Sequence, residues 1–514
     1  LTRTGRRYEL ARGVKRVLPM LATAHAGCLI GIDAHPVQVE VQVGTGLPGF
    51  DIVGLPERGV RESRVRVKSA LQAFGFKLPP RQLVLNLAPG DLRKTGAGYD
   101  LAIAVAVQAA CETVDPSALV GTLLLGELSL SGALRPVRGV LSQLRGARER
   151  GMRRAVVPIA NAAEASLATG IEVYVAECLS EVVRFLNGVD GLPRAMARTA
   201  VEGSPSTTDM SDVRGQAGAR RALEIAAAGA HNLLLLGPPG GGKTMLARRL
   251  VTLLPEPTPE EAMEIATVAS AAGIYAGATR AAVRRPFRAP HHTASAAALI
   301  GGGDPIQPGE VTLAHGGVLF LDELPEFRRD VVETLRTTME SGEVSIARAR
   351  CRVSMPADPL VVAAMNPCPC GFAGDTERIC ACTPEQVARY RARVSGPLLD
   401  RFDMHVEVPR VRAKDLREAQ IGEGSAAIRA RVIEARRHVL PRQVDLPTLH
   451  RVTDASSLQL LDRAVEKLGL SARGYVKALR VAHTIARLEG RDVVGTAHVA
   501  EAVQYRRLDR RESA

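Results

Sequence analysis

Residues 232–244 read Asn232-Leu-Leu-Leu-Leu-Gly237-Pro238-Pro239-Gly240-Gly241-Gly242-Lys243-Thr244, an apolar run that breaks into a glycine-rich turn ending in Lys-Thr. The run predicts a buried strand. The glycines predict a turn whose successive N–H groups point inward at phosphate oxygens, and the helix expected after it adds a favourable dipole. In that arrangement Lys243 reaches the β/γ-phosphates and Thr244 holds Mg²⁺, so the chain is expected to handle ATP or GTP. The alternative is an ordinary glycine-rich connection, and the rest of a nucleotide site decides between the two.

That remainder is legible. Gly316-Gly-Val-Leu-Phe-Leu321-Asp322-Glu323 reads as a central parallel strand buried on both faces and tipped by two acids. Asp322 suits the Mg²⁺ water shell and Glu323 suits polarising an attacking water; the alternative is a helix N-cap with an acidic first turn. A third run, Leu360 to Met365, ends in Asn366, a polar tip able to orient water near a γ-phosphate. Strands with polar carboxyl-terminal tips predict an α/β domain whose parallel sheet carries the site at one edge.

Composition narrows the partners. Lys plus Arg number 67 against 54 acids, a net charge of +13, which points to a polyanion such as nucleic acid or else to a solvated basic surface. Aromatics are 3% and Trp is absent, so contact with nucleic acid is expected mainly at phosphates. No stretch approaches the roughly 20 apolar residues that cross a bilayer, so no membrane partner is expected. Residues 1–19 read as a disordered basic tail rather than a signal peptide, because Pro19, His25 and Gly27 interrupt the apolar stretch that follows.

Along the chain, residues 20–189 alternate short β runs (Val37 to Val43, Leu83 to Leu87, Leu123 to Leu125, Ala155 to Pro158) with helical segments at Arg58 to Phe74 and Asp100 to Ala110. Residues 190–211 are turn-rich and read as a linker. The nucleotide domain is expected over 212–409. Beyond it, 410–514 shows helical periodicity and reads as a helical lid.

The nucleotide motifs sit among longer ones: Val213-Arg-Gly-Gln216, Phe287-Arg-Ala-Pro-His-His292, Pro308-Gly-Glu310, Ala314-His315, Met365-Asn-Pro-Cys-Pro-Cys-Gly371 and Ser395-Gly-Pro-Leu-Leu-Asp-Arg401-Phe402-Asp403. From Met20 onward these resemble the magnesium-chelatase-like AAA+ ATPases of the ComM (YifB) type. The resemblance implies a cytoplasmic, ring-forming homo-oligomer, a hexamer, of the branch that holds chelatase motors and minichromosome maintenance helicases. It makes Arg401 the finger that enters the neighbouring subunit's site, Asn366 the first sensor, and Arg473, in Ser471-Ala-Arg473-Gly474, the second sensor. Planar guanidinium groups suit the charge that spreads over a transferring phosphoryl group. The plain alternatives are a salt bridge from Arg401 to Asp400 or Asp403, and a solvated helix start for Arg473.

The front domain resembles the proteolytic domain of Lon protease, a ribosomal S5 domain 2-like fold, chiefly at Gly126 to Gly132, Pro136 to Gly139 and Arg148 to Pro158. Lon uses a serine activated by a lysine. Here the matching segments offer Ala97 and Gly98 for the serine and Leu141 for the lysine, so covalent catalysis has no residues to run on. Lys94 and Thr95 are a weak substitute pair, and no peptidase activity is expected.

Two further patterns carry expectations. Arg348, Arg350 and Arg352 alternate with period two and are expected on one strand face, where related helicases send a hairpin into the central channel; the alternative is a solvated face. Should that stripe prove idle, the DNA contacts are expected around Arg284 to Arg288. His291 and His292 read as a polar turn. Cys368, Cys370, Cys380 and Cys382 form two C-x-C pairs that suit tetrahedral Zn²⁺, or else are free thiols or labile disulfides. The expectation is an ATP- and Mg²⁺-dependent motor on DNA, for which the family resemblance implies a role in recombination or natural transformation. The alternatives are a chelatase motor for metal insertion and an ATP-gated chaperone or scaffold.

Overall fold

The computed structural model describes residues 20–196, 208–275, 283–348, 351–375, 377–411, 422–442 and 444–506. The tail 1–19 and Arg350 lie outside them. The chain divides into two compact units, one of Leu1–Leu29 and Asp33–Ala197, the other of Ile30–Ile32 and Arg198–Ala514.

In the front unit the strands are β1 Met20–Ile30, β2 Asp33–Val43, β3 Gly49–Val53, β4 Gln82–Ala88, β5 Thr122–Leu124, β6 Glu127–Leu128, β7 Leu134–Arg135, β8 Arg154–Pro158 and β9 Glu172–Ala176. Seven of them form a mixed sheet in the order β3-β4-β2-β1-β5-β8-β9, and β6 with β7 makes a small hairpin. The helices are α1 Arg58–Ala73, α2 Asp100–Ala110, α3 Val140–Glu149, α4 Ala162–Ala165 and α5 Leu179–Leu186. Alternation drives the sheet: Val37, Val39, Val41 and Val43 of β2 and Leu83, Leu85 and Leu87 of β4 all turn inward. Helix α2 is apolar apart from Asp100, which pairs with Arg66, and Gln108, and every residue of it is buried.

The expected linker begins with residues that belong to this sheet. Val175 donates its N–H to the Pro193 carbonyl at 2.9 Å and Ala195 donates to Val173 at 2.8 Å, so residues 193–195 cover the free edge of β9. Residues 197–207 lie outside the described residues. On the far side, Met210–Asp212 form a capped 3-10 turn with Met210 buried. Turn-forming composition therefore overstated the linker, because backbone groups of Gly-Leu-Pro can still pair with an open strand edge.

In the second unit five strands, β10 Leu233–Leu236, β11 Phe287–Arg288, β14 Val318–Leu321, β17 Leu360–Met365 and β18 Met404–Glu407, form a parallel sheet in the order β11-β14-β17-β10-β18. Leu236 stands level with Met365 on one side and Glu407 on the other, and Leu321 stands level with Ala363. The carboxyl ends therefore finish together. Leu233, Leu234 and Leu235 are fully buried, each worth about 1.5–3 kcal/mol relative to exposure. Two hairpins join the sheet's connections, β12 Gly301–Gly302 with β13 Gln307–Pro308, and β15 Glu343–Arg348 with β16 Cys351–Pro356.

Helices α6 Ala217–Gly229, α7 Lys243–Leu253, α8 Pro259–Ala272, α9 Ala296–Ile300, α10 Glu310–Leu313, α11 Arg329–Ser341, α12 Pro384–Arg391 and α13 Gly396–Leu399 surround the sheet. After β18 the described chain is helical: α14 Ser425–Arg436, α15 Leu446–Arg451, α16 Ala455–Leu468, α17 Ala472–Leu488 and α18 Thr496–Gln504. Helix α17 is begun by Ser471, whose side chain accepts from the Gly474 N–H. No helix among the described residues is long and apolar enough to cross a membrane.

Candidate nucleotide site and its neighbours

The turn after β10 is shaped by close approach. A Cβ on Gly237 would stand 2.1 Å from the Val408 carbonyl oxygen, and Gly240 and Gly242 take φ of +77° and +85°, so only glycine fits without strain. The loop delivers Lys243 to the start of α7, where its Nζ donates to the carbonyls of Gly237 (2.6 Å) and Pro238 (3.0 Å) and to Asn366 Oδ1 (3.1 Å). Burial pushes the Lys243 pKa down, while Asp322 and Glu323 pull it back up. Thr244 donates its hydroxyl to Asp322 Oδ2 at 2.8 Å. Three strand ends thus bring Lys243, Thr244, Asp322 and Asn366 into one hydrogen-bonded constellation. Its donor set, a hydroxyl and a carboxylate beside an ammonium, fits a Mg²⁺–triphosphate.

Glu323 takes a left-handed backbone (φ +52°), its N–H donates to Asp322 Oδ1 at 2.9 Å, and an oxygen of its half-exposed carboxylate lies 3.3 Å from His292 Nδ1. His291 in turn contacts Thr293 through Nδ1 at 2.8 Å. The histidine pair is a polar turn, as its spacing implied, but one of the two touches the expected water-activating acid. Gln216, another non-glycine at positive φ (+51°), donates to the Gly241 carbonyl at 2.6 Å and the Pro409 carbonyl at 3.2 Å, tying the segment before α6 to the loop. Sequence reading assigned no role to either. For Gln216 the available signal was its place just before a helix within the Val213 to Gln216 motif, and for His292 its place soon after β11.

Arg401 pairs with neither Asp400 nor Asp403. Its guanidinium contacts Glu340 near the end of α11. Asp403 accepts from the Asn232 N–H at 2.8 Å and faces Lys477 Nζ at 3.1 Å, and Asp400 stands 4.0 Å from Arg506. Burial lowers the Arg401 pKa; Glu340 opposes this, and the charges of Arg473 and Arg336 reinforce it. The charge of Arg473, the other arginine expected to act on a phosphoryl group, is thus one of those that disfavour the Arg401 cation.

The hairpin corrects one expectation outright. The register pairs Arg348 with Cys351 and Ala347 with Arg352, so the chain reverses between them. Arg352 shares the face of Ser345, to whose hydroxyl its Nε donates at 3.3 Å. Arg348 shares the opposite face with Ile346 and Val344. A period-two stripe holds only within one strand, and the turn divides this one; Arg350 lies outside the described residues. The fallback at Arg284 to Arg288 is also engaged: Arg284 pairs with Glu256 (3.2 Å), Arg285 with Glu261 (2.7 Å), and Arg288 makes a bidentate pair with Glu310 (2.6 and 2.7 Å).

Cys368, Cys370, Cys380 and Cys382 come together, all four sulfurs within 4.8 Å of one another. The cysteines are free, with Sγ–Sγ separations of 3.3, 3.6 and 3.5 Å among the first three, close to the edge of roughly 3.8 Å that Zn–S bonds of about 2.3 Å give a tetrahedron. N–H groups of Ala373 and Cys382 point at Cys368 and Cys380 sulfurs at 3.3 and 3.4 Å, and backbone N–H groups of Phe372 and Ala381 hold the Cys370 thiol down to about 6. Among the described residues this is the one group of three or more ligating side chains arranged for an ion. Its neck abuts the nucleotide loop: a Cβ on Gly371 would stand 2.4 Å from Pro239 Cδ.

In the front unit Lys94 is fully buried and donates to the Pro89 carbonyl, and burial lowers its pKa. Leu141 is also fully buried. Neither position presents a base to solvent.

Three family models match in chain order: residues 39–161 the one described as subunit ChlI of Mg-chelatase, residues 209–416 magnesium chelatase, subunit ChlI, and residues 422–506 magnesium chelatase, subunit ChlI C-terminal. The competence protein ComM of Haemophilus influenzae is 44% identical over 505 residues, covering 95% of this chain and 98% of that protein. The YifB protein of Salmonella typhimurium is 44% identical over 501 residues, with the same shares. The magnesium-chelatase 38 kDa subunit of Rhodobacter capsulatus is 26% identical over 310 residues, 56% of this chain and 83% of that one. Together with the parallel sheet and its nucleotide loop, this full-length likeness places the chain in the ComM (YifB) family of magnesium-chelatase-like proteins.

Proposed function

We propose that this protein is an ATP-hydrolysing, ring-forming AAA+ motor of the cytoplasm that acts on DNA. The observation that carries the ATPase is the constellation of Lys243, Thr244, Asp322 and Asn366 at three adjacent strand ends. Lys243 neutralises the β/γ-phosphates, Thr244 and Asp322 hold the Mg²⁺ that neutralises charge on the leaving group, Asn366 orients, and Glu323 polarises the water. Gly237 to Gly242 cradle the phosphates through backbone N–H groups.

Arg401 is read as the finger of a shared site: its guanidinium, held by Glu340 in the single chain, is of the kind that clamps a triphosphate, which a neighbouring subunit would bring in a hexameric ring. DNA is supported by the net charge of +13 and by the full-length likeness to a protein named for competence. Arg352 and Arg348, on the two faces of the hairpin, are the residues proposed to meet phosphates, together with Arg350. The likeness to the chelatase subunit covers a little over half of the chain, and favours metal insertion less. The front unit is read as a Lon-like domain without peptidase activity, the helices after residue 410 as the lid, and the four cysteines as a structural Zn²⁺ site.

The test is the ATPase rate of the purified protein with and without forked, four-way and linear duplex DNA. Stimulation by at least one is expected. A rate indifferent to all three would remove DNA as the track and favour the chaperone reading.

A further inference from the structure

We propose that the front unit carries a second nucleic-acid site, a cleft that takes a single strand by its phosphates. The cleft has a volume of about 970 Å³ and lies between helix α1 and the loop that leads from it into β4, over edge strand β3. Arg64 and Lys68 project from the helix wall, and Lys77 and Arg81 from the loop wall. All four are exposed, and among the described residues none has an acidic partner.

Other arginines of the unit are engaged: Arg66 with Asp100, Arg93 with Glu57, Arg184 with Asp190 and Arg194 with Glu172 as ion pairs, and Arg61, Arg148, Arg150 and Arg154 with carbonyl or hydroxyl oxygens. The one acid lining the cleft, Asp51, accepts from Gln82 Nε2 at 3.2 Å. Arg64 and Lys68 stand one helical turn apart, a like-charge pair that destabilises a helix by about 0.2–0.5 kcal/mol. A polyanion lying between the two walls would relieve both the pair and the facing cations.

The lining favours one strand, because the bases of a single strand, unlike those of a duplex, are free to meet side chains of the cleft. Phe76 and the Pro79–Pro80 pair line the loop wall and offer apolar faces on which a base can rest. The choice of nucleic acid over an acidic protein segment rests in part on the DNA-motor reading; the cleft and its unpaired cations do not.

The experiment uses the full chain without nucleotide, and follows the anisotropy of a fluorescein-labelled oligothymidylate at several KCl concentrations. In the R64A/K68A/K77A/R81A variant the affinity should fall at least tenfold. The log–log salt slope should become shallower by about 3 units, since each phosphate neutralised on a single strand contributes about 0.7 through the counterions it releases. The melting temperature and the DNA-free ATPase rate should stay at wild-type values, and R64K/R81K should bind as wild type. Unchanged affinity and slope in the fourfold variant, or no binding by the wild type, would overturn the site. Displacement of the oligonucleotide by oligoglutamate at equal charge would reassign the cleft to an acidic protein segment and equally overturn it. The motor reading fails separately, as an ATPase that duplex DNA does not stimulate, and a wild-type salt slope lost in the variant would stand whatever that outcome.

Discussion

His292 Nδ1 lies 3.3 Å from a carboxylate oxygen of Glu323, so the acid proposed to activate water is held by a residue from the connection that follows β11. The contact is partly exposed, and a hydrogen bond to a charged group there is worth about 1 kcal/mol. Replacing His292 with Ala should free the carboxylate to swing toward the nucleotide. The basal kcat should rise about fivefold with KM unchanged, and steady-state ATPase assays read both. A lowered kcat would mean that the imidazole orients Glu323 for catalysis rather than withdrawing it.

Lys243 and Glu323 should separate binding from chemistry. Lys243→Ala removes the donor to the phosphates and should abolish measurable turnover. Glu323→Gln keeps the loop and loses a general base, so turnover should fall about 10²- to 10⁴-fold while nucleotide still binds. Equilibrium binding of a fluorescent ATP analogue beside phosphate release distinguishes the two. Normal turnover in Glu323→Gln protein would remove that residue from the reaction.

Arg401→Ala should bind ATP but fail to hydrolyse it. Mixed with Lys243→Ala protein it should recover activity, because a hybrid ring contains interfaces where an intact loop meets an intact arginine. Activity plotted against mixing ratio should pass through a maximum. A flat zero across all ratios would count against a site completed by the neighbour.

Acid should unfold the second unit through buried histidines. Burial lowers His405 to about 3, and His231 and His483 to about 4. Below the unfolded value of about 6.5 the unfolded chain takes up protons that the folded chain refuses, so stability is lost as pH falls from 6.5 toward 4. Each histidine contributes about 1.4 kcal/mol per pH unit in that window. Asp403, held at about 2, adds a separate loss as pH drops from 3.8 through 2. Denaturant midpoints measured between pH 7 and 4.5 should fall steeply, and His405→Phe should flatten the slope by about a third.

Purified without chelator, the protein should carry about one zinc per chain by elemental analysis. Cys370→Ser with Cys380→Ser should lose it. Because Gly371 rests on Pro239, the same variant should bind a fluorescent ATP analogue about fivefold more weakly, the equivalent of about 1 kcal/mol. Metal-free wild type with unaltered thiols would discard the site.

Local pattern carried the nucleotide site. Leu233 to Leu236, Val318 to Leu321 and Leu360 to Met365 are strands because apolar runs of that length bounded by turns have few other uses, and their polar tips met as the parallel topology required. Strand β1 was harder to see. Its inward positions are Ala22, Ala24, Ala26 and Cys28, small residues with weak strand preference, so the alternation is present but faint. Partner choice was not legible. Arg401 with Glu340, and Arg285 with Glu261, depend on which elements the fold brings together, and sequence proximity suggested the wrong acids for Arg401. The two faces of Arg348 and Arg352 turned on where one hairpin reverses, which a continuous alternating pattern conceals.

Gly371, seated on Pro239, divides the cysteine loop into two parts that mutation treats differently. At the neck, a side chain would collide with the ring of Pro239 in the proposed phosphate cradle, so substitution there is expected to weaken nucleotide binding. Beyond Phe372 the chain between the cysteine pairs is exposed at several positions, and residues can be added or exchanged without reaching the cradle. Exchanges at the exposed outer positions are therefore expected to leave the loop beneath Gly371 undisturbed, whereas the neck tolerates only a bare backbone.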